Sequence, residues 1–266
     1  MTESSPDILA LDFDGVICDG LIEYFQTAWQ AYCDIWTLSE RTPPDGLAER
    51  FYALRPVVET GWEMPVLLRS LLLGSTDEEV LADWQAIAHQ RVDIENLNTA
   101  ELAAAVDGVR DQWIQRDPDQ WLSLHRFYPG VIEKLRQILA GDTQVYIIST
   151  KEGRFIQQLL AREELALAED RILGKEVKRP KDQTLRALIR QWVEGGETPP
   201  SLWFVEDRLK TLQIVQSHPD LAEVHLFLAA WGYNTQADRD RAQADPRIHL
   251  LTLEQFAQDF AQPARS

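Results

Sequence analysis

The sequence predicts an α/β fold: a parallel sheet with helices on both of its faces, and an all-helical segment inserted after the first strand. Two patterns predict it. From about residue 129 onward, short apolar runs alternate with amphipathic helical stretches, as repeated βα units on a parallel sheet require. Between Leu21 and about Phe127, helical patterns follow one another with almost no β-branched run.

The first strand is Ile8–Leu11, "ILAL", too continuously apolar to be half exposed and therefore suited to the interior of a parallel sheet. Further strands are expected at Thr143–Ser149, Arg171–Gly174, Ser201–Glu206, Glu223–Ala229 and Arg247–Leu251. Between them, apolar residues three and four apart define helix faces: Val131, Ile132, Leu135, Ile138 and Leu139; Phe155, Ile156, Leu159 and Leu160; Leu185, Leu188, Ile189 and Trp192. In the inserted segment, Ile22, Phe25, Trp29, Tyr32, Cys33 and Trp36 form one stripe, and Pro65–Leu73, Glu78–His89 and Thr99–Trp113 behave likewise. The expected organisation is a core of residues 1–19 and 128–266 with a helical insertion at 20–127. Without a repeat, low-complexity tract or Gly/Ser linker, that insertion is expected to pack on the core.

Of the 266 residues, 45% are apolar and nine are tryptophan, enough for a packed core and contrary to disorder. The net charge of -17, from 43 acidic and 26 basic residues, argues against sequence-independent nucleic-acid binding and against attachment to anionic membranes, which need exposed Lys/Arg patches. The start, "MTESSPDILALDFDG", has no basic segment followed by a long apolar run, so neither a signal peptide nor a transmembrane helix is expected. Two cysteines, Cys18 and Cys33, make no disulfide framework and no CxxC zinc pair. A cytoplasmic protein, monomer or homodimer, is the expectation.

Open parallel sheets bind their ligands beyond the carboxyl ends of the strands. The first strand ends in Asp12 and Asp14, with Asp19 beyond; the "VYII" strand ends in Ser149, Thr150 and Lys151; the "LWFV" strand ends in Glu206 and Asp207. A basic "KEVKRPK" (Lys175–Lys181) precedes a helix. Clustered carboxylates repel unless something positive lies between them, and a metal ion with a phosphoryl group answers that need.

The ordered set resembles the haloacid dehalogenase-like (HAD) superfamily of phosphohydrolases, in its phosphoglycolate-phosphatase-like branch. "DFDGV" (Asp12–Val16) is similar to the first motif, "YIIST" (Tyr146–Thr150) to the second, a lysine in "VKRPKDQTL" (Val177–Leu185) to the third and "FVEDR" (Phe204–Arg208) to the fourth. "RFYPGVIEKLRQIL" (Arg126–Leu139) looks like the segment that precedes the second motif.

The resemblance implies a Rossmann-like core with a helical cap, and a Mg2+-dependent phosphatase acting on a small phosphorylated metabolite through an aspartyl-phosphate. Asp12 is then nucleophile and metal ligand, the Asp14 carbonyl and the Asp207 side chain are further ligands, and Glu206 is either a ligand or an acceptor just outside the metal. Asp14 serves as acid and base. Ser149 and the Thr150 N–H hold phosphoryl oxygens, with Lys151 either on the phosphate or solvated. Lys181 is favoured as the third-motif lysine because it opens the helix "DQTLRALIRQW"; Lys178 fits an alternative spacing. Thr211 stands where a second Asp often follows in the fourth motif. The physical logic agrees: a carboxylate with an ordinary pKa near ~4 is ionised at neutral pH, and attack on an anionic phosphate needs a cation beside it.

Asp14 argues against dehalogenation, whose branch lacks the second aspartate. Phosphonate cleavage in the superfamily uses a cap lysine, and residues 21–130 contain none. The alternatives left open are a phosphomutase and a catalytically idle phosphate- or metal-binding protein. In "RPVVETGWEMPVLLRSL" (Arg55–Leu71), Arg55, Glu59, Trp62 and Glu63 crowd around Gly61, which suits either a substrate-selecting loop with Arg55 on the substrate or a buried helix junction. With Arg55 and Arg69 among the few cations of the acidic insertion, a leaving group without a second phosphate is expected. Asp19 is expected to cap the "LIEYF" helix, and "WGYNT" (Trp231–Thr235), after the "HLFL" strand, suits either the lining of the site mouth or a structural turn, the turn being favoured.

Overall fold

The structure is a computed structural model that describes residues 5–196 and 198–259. It divides into two compact units: the described residues up to Asp19 together with those from Arg126 onward, and Gly20–His125. Strand β1 (Ile8–Leu11) is buried along its whole length, and a two-residue strand β2 (Cys18–Asp19) follows.

The helical unit contains α1 (Leu21–Ile35), α2 (Leu47–Leu54), α3 (Glu63–Leu72), α4 (Asp77–Ile94), α5 (Thr99–Arg116) and α6 (Pro118–Leu122). The α1 stripe buries Phe25, Trp29, Tyr32 and Cys33, and α1 packs against α3 and α5. Burying each such large side chain contributes roughly 1.5–3 kcal/mol. The later helices α4 and α5 start on side-chain caps. Thr76 and Glu79 form a reciprocal capping box on α4, and Asn98 accepts from the Ala100 and Glu101 N–H groups to start α5.

Two carboxylates lie inside this unit, each matched by donors. Glu23 accepts from Thr27 Oγ1 at 2.8 Å, Trp121 Nε1 at 3.1 Å and the Arg110 guanidinium at 2.8 Å. Glu63 accepts from Thr60 Oγ1 at 2.7 Å, Trp84 Nε1 at 2.7 Å and the backbone N–H groups of Glu59 and Thr60. Through Trp84 of α4 and the Glu59 and Thr60 N–H groups, Glu63 ties the segment before α3 to α4. Arg55, in a 3-10 turn after α2, donates to the Val58 carbonyl and lies over the Tyr24 ring.

The chain returns through β3 (Arg126–Phe127), which pairs antiparallel with β2. The core continues with α7 (Val131–Leu139), β4 (Gln144–Ile148), α8 (Gly153–Arg162), β5 (Ile172–Leu173), α9 (Lys181–Glu194), β6 (Leu202–Glu206), α10 (Leu209–Gln216), β7 (His225–Ala229), α11 (Gln236–Ala244), β8 (Ile248–Leu251) and α12 (Leu253–Asp259). All six expected strands form, and they make one parallel sheet in the order β5-β4-β1-β6-β7-β8. On one face, Ile8, Ala10, Phe204 and Leu226 pack with Leu185 and Leu188 of α9 and Leu209, Leu212 and Val215 of α10. On the other, α7 packs on β4 and α12 on α7. Burial on both faces explains the uninterrupted apolar strands. From β1 the chain builds outward through β4 and β5, then crosses to β6 and builds the opposite way, so the strand order reverses between β1 and β6. In open parallel sheets ligands bind beyond the carboxyl ends of the strands at such a reversal, which here are the ends of β1 and β6.

Asp19 does not cap α1. The N-cap is Gly20, and the Asp19 carboxylate instead accepts from the Tyr233 hydroxyl at 2.9 Å, because β2 points it back along the core unit. Among the described residues no helix is long and apolar enough to cross a membrane.

The buried pair in the helical unit yields a direct test. Arg110→Ala strands the Glu23 carboxylate, which is fully buried, and is expected to lower unfolding stability by about 3–5 kcal/mol in urea denaturation. The double variant Glu23→Gln/Arg110→Met is expected to recover part of that loss; equal stability of wild type and Arg110→Ala would contradict the pairing.

Candidate active site

Asp12 follows β1 directly, held by its own N–H donating to the Val205 carbonyl of β6 at 3.0 Å. Its Oδ1 accepts from the Phe13 N–H at 2.7 Å. Glu206 ends β6 and Asp207 follows it, so strand pairing alone brings Asp12 beside both. Ligand atoms of Asp12, Glu206 and Asp207 lie within 4.8 Å of one another, and all three residues are buried.

Lys181 answers part of this charge. It is the first residue of α9, where the helix dipole disfavours a cation. Its Nζ lies 2.9 Å from Asp12 Oδ2 and 2.6 Å from Glu206 Oε2. The other Glu206 oxygen accepts from the Arg208 N–H at 3.0 Å. Burial pushes the Asp12 carboxyl up to about 7 against the pull of Lys181, with Glu206 and Asp14 raising it further. Burial and the neighbouring Asp12 carry Asp207 up to about 6. Burial also raises Glu206, and Lys181 is raised by Asp12 and Glu206 against its own desolvation. The protein thus holds carboxylates that burial discourages from ionising, a state that a cation bound among them relieves. Their oxygens are the hard donors that a divalent cation such as magnesium prefers.

The surroundings of Asp207 are close-fitted. A Cβ on Gly15, whose φ is +84°, would stand 2.0 Å from Asp207 Oδ2, and one on Gly232 would stand 2.3 Å from Asp207 Cβ. Only glycine fits at either position. The Tyr233 N–H donates to Asp207 Oδ2 at 2.7 Å, and Asn234 Nδ2 donates to the Asp207 carbonyl at 3.1 Å. The segment that the sequence offered as a turn or as a lining of the site mouth clamps Asp207.

Asp14 and Lys151 meet, Nζ to Oδ1, at 3.1 Å. The hydroxyl oxygen of buried Ser149 accepts from the Lys151 N–H at 3.1 Å, which leaves its proton to donate. Thr150 is exposed at the end of β4. Lys178 is exposed in a left-handed conformation, so of the two candidate lysines it is Lys181 that meets Asp12. Thr211 lies in the first turns of α10, its N–H bonded to the Arg208 carbonyl. Arg55 belongs to the helical unit, with the partners given above. The sequence did not reveal the Asp14–Lys151 pair or the roles of Tyr233 and Asn234. The only local signal was a Gly between two aromatic residues after an apolar strand, "WGY".

No family model and no curated protein matches the sequence. Solved structures do match the fold. A predicted phosphoglycolate phosphatase from Haemophilus somnus is 15% identical, with TM-score 0.58 and 98% of each chain covered. A hydrolase of the haloacid dehalogenase-like family from Streptococcus pneumoniae is 16% identical, with TM-score 0.55 and 95% of each chain covered. Protein Tyrosine Kinase A of Mycobacterium tuberculosis is 14% identical, with TM-score 0.54, covering 97% of this chain and 99% of its own. Structures described by different activities thus share this fold, and the chemistry has to be argued from the site. With its six-stranded parallel sheet, the acidic cluster at the strand-order reversal and the helical unit inserted after the first strands, the chain has the haloacid dehalogenase-like fold.

Proposed function

We propose that this chain is a magnesium-dependent phosphatase that hydrolyses a small phosphate monoester through an aspartyl-phosphate on Asp12. The observation that carries this reading is the Asp12 carboxylate, backed by Lys181 at 2.9 Å and set among Glu206 and Asp207 at the ends of β1 and β6. Structural neighbours described as phosphatases support it at the level of fold.

In the first step an Asp12 carboxylate oxygen attacks phosphorus and the bond from phosphorus to the leaving alcohol oxygen breaks, while Asp14 gives that oxygen a proton. In the second, Asp14 takes a proton from water as the water oxygen attacks phosphorus, and the bond to Asp12 breaks to release phosphate. Lys181 bridges Asp12 and the transferring group, offsetting charge beside buried carboxylates. Ser149 and the Thr150 N–H hold phosphoryl oxygens, and Lys151 steadies Asp14. Asp12, Asp207 and the Asp14 carbonyl would hold Mg2+, with Glu206 beside them as acceptor for Lys181. When bound, the ion neutralises negative charge on the phosphate and its nucleophile.

A phosphate-release screen over small monoesters with Mg2+, including p-nitrophenyl phosphate, tests the reading. Wild type is expected to turn over, and Asp12→Asn or chelation to lower the rate on the order of 10^3-fold or more. Turnover that survives Asp12→Asn would overturn it.

The pKa shifts give a second test. Asp12 and Asp207 stand at about 7 and about 6 without metal, above the ordinary 3.8. The native chain therefore binds more protons than the unfolded chain from about pH 4 up to pH 7, and this part of its stability is lost as pH rises through that range. Mg2+ binds the ionised carboxylates, so its stabilising effect is expected to be larger at pH 8 than at pH 5. Differential scanning calorimetry with and without Mg2+ reads this; an equal or larger upshift at pH 5 would contradict it.

A further inference from the structure

Tyr233 is nearly buried, 6% exposed, and is bonded at three points. Its N–H donates to Asp207 Oδ2 at 2.7 Å, its carbonyl accepts from Arg208 Nη1 at 2.8 Å, and its hydroxyl donates to Asp19 Oδ1 at 2.9 Å. The residue therefore spans from the acid at the end of β6 to the strand β2, which is far away along the chain. On either side of it, Trp231 Nε1 donates to the Val16 carbonyl at 3.1 Å and Asn234 Nδ2 donates to the Asp207 and Ala229 carbonyls.

A carboxylate that gives one oxygen to a fixed N–H cannot rotate freely, so its other oxygen keeps one direction. The fixed N–H belongs to a loop between β7 and α11, and a loop amide aims as well as the loop is held. At position 211, one turn into α10, this chain has threonine, so no second carboxylate there shares the task. We infer that Tyr233 is a positioning residue for the metal ligand Asp207, a strut whose phenol is anchored on Asp19 and whose N–H sets the carboxylate's orientation. The inference rests on the metal site proposed above and adds Asp19 and Tyr233 to what that site depends on.

Calorimetric titration of the full chain with Mg2+ alone tests it. Partners that orient metal ligands directly change affinity by roughly 10–100-fold, so an anchor one bond further out is expected to change it by about 3–10-fold. Tyr233→Phe and Asp19→Ala should each weaken Mg2+ binding by that factor, while Asp19→Asn, which keeps an acceptor oxygen, should stay within about twofold of wild type. The double variant Tyr233→Phe/Asp19→Ala should bind no more weakly than the weaker single variant, since both remove one link. Unchanged affinity in both single variants, or losses that add in the double variant, would overturn the strut while leaving the metal site standing. Absence of Mg2+ binding in wild type would overturn the proposed metal site and the strut with it. Should Tyr233→Phe fail to fold, the contrast between Asp19→Ala and Asp19→Asn still decides.

Discussion

Like charge held out of water at the ends of β1 and β6 is the constraint that the rest of the core serves. Asp12, Glu206 and Asp207 are buried within reach of one another, and an uncompensated buried carboxylate costs several kcal/mol. The fold answers with a lysine placed against the dipole of its own helix, two positions where only glycine fits, and a loop amide aimed at one carboxylate oxygen. Each feature is locally unfavourable or restrictive. Together they make sense as a site built to share its charge with a cation and an anionic ligand.

The helical unit shows the same physics resolved differently. Glu23 and Glu63 are equally buried, yet one meets a guanidinium and the other four neutral donors. Carboxylates with complete sets of partners hold helices together; those in the core are crowded by their own kind and raised toward neutrality. This difference in partners, more than burial itself, separates structural acids from the proposed catalytic ones.

Much of this was legible in the sequence because it is written in short-range patterns. Apolar strands buried on both faces, and helix faces with residues three and four apart, are local signals, and each led to an element in nearly the expected place. The residues that follow β1, β4 and β6 could be collected from the topology alone. Lys181 could be favoured over Lys178 because it opens a helix. What was hidden depends on contacts distant along the chain. The β2–β3 pair is two residues long on each side, too short for any periodicity, and it turned Asp19 from an expected cap into the acceptor for Tyr233. The Asp14–Lys151 pair and the clamp of Trp231–Asn234 on Asp207 likewise join segments that no spacing rule connects.

The central claim is that Asp12 accepts the phosphoryl group covalently. Acid quench of the enzyme during turnover of a phosphate monoester, then borohydride reduction and peptide mass spectrometry, reads this directly, since an acyl phosphate is reduced to an alcohol. The account predicts that the peptide containing Ile8–Asp14 carries the reduced side chain at position 12, and that it does so only when substrate and Mg2+ are both present. Full turnover with the modification at another residue, or with none at all, would contradict it.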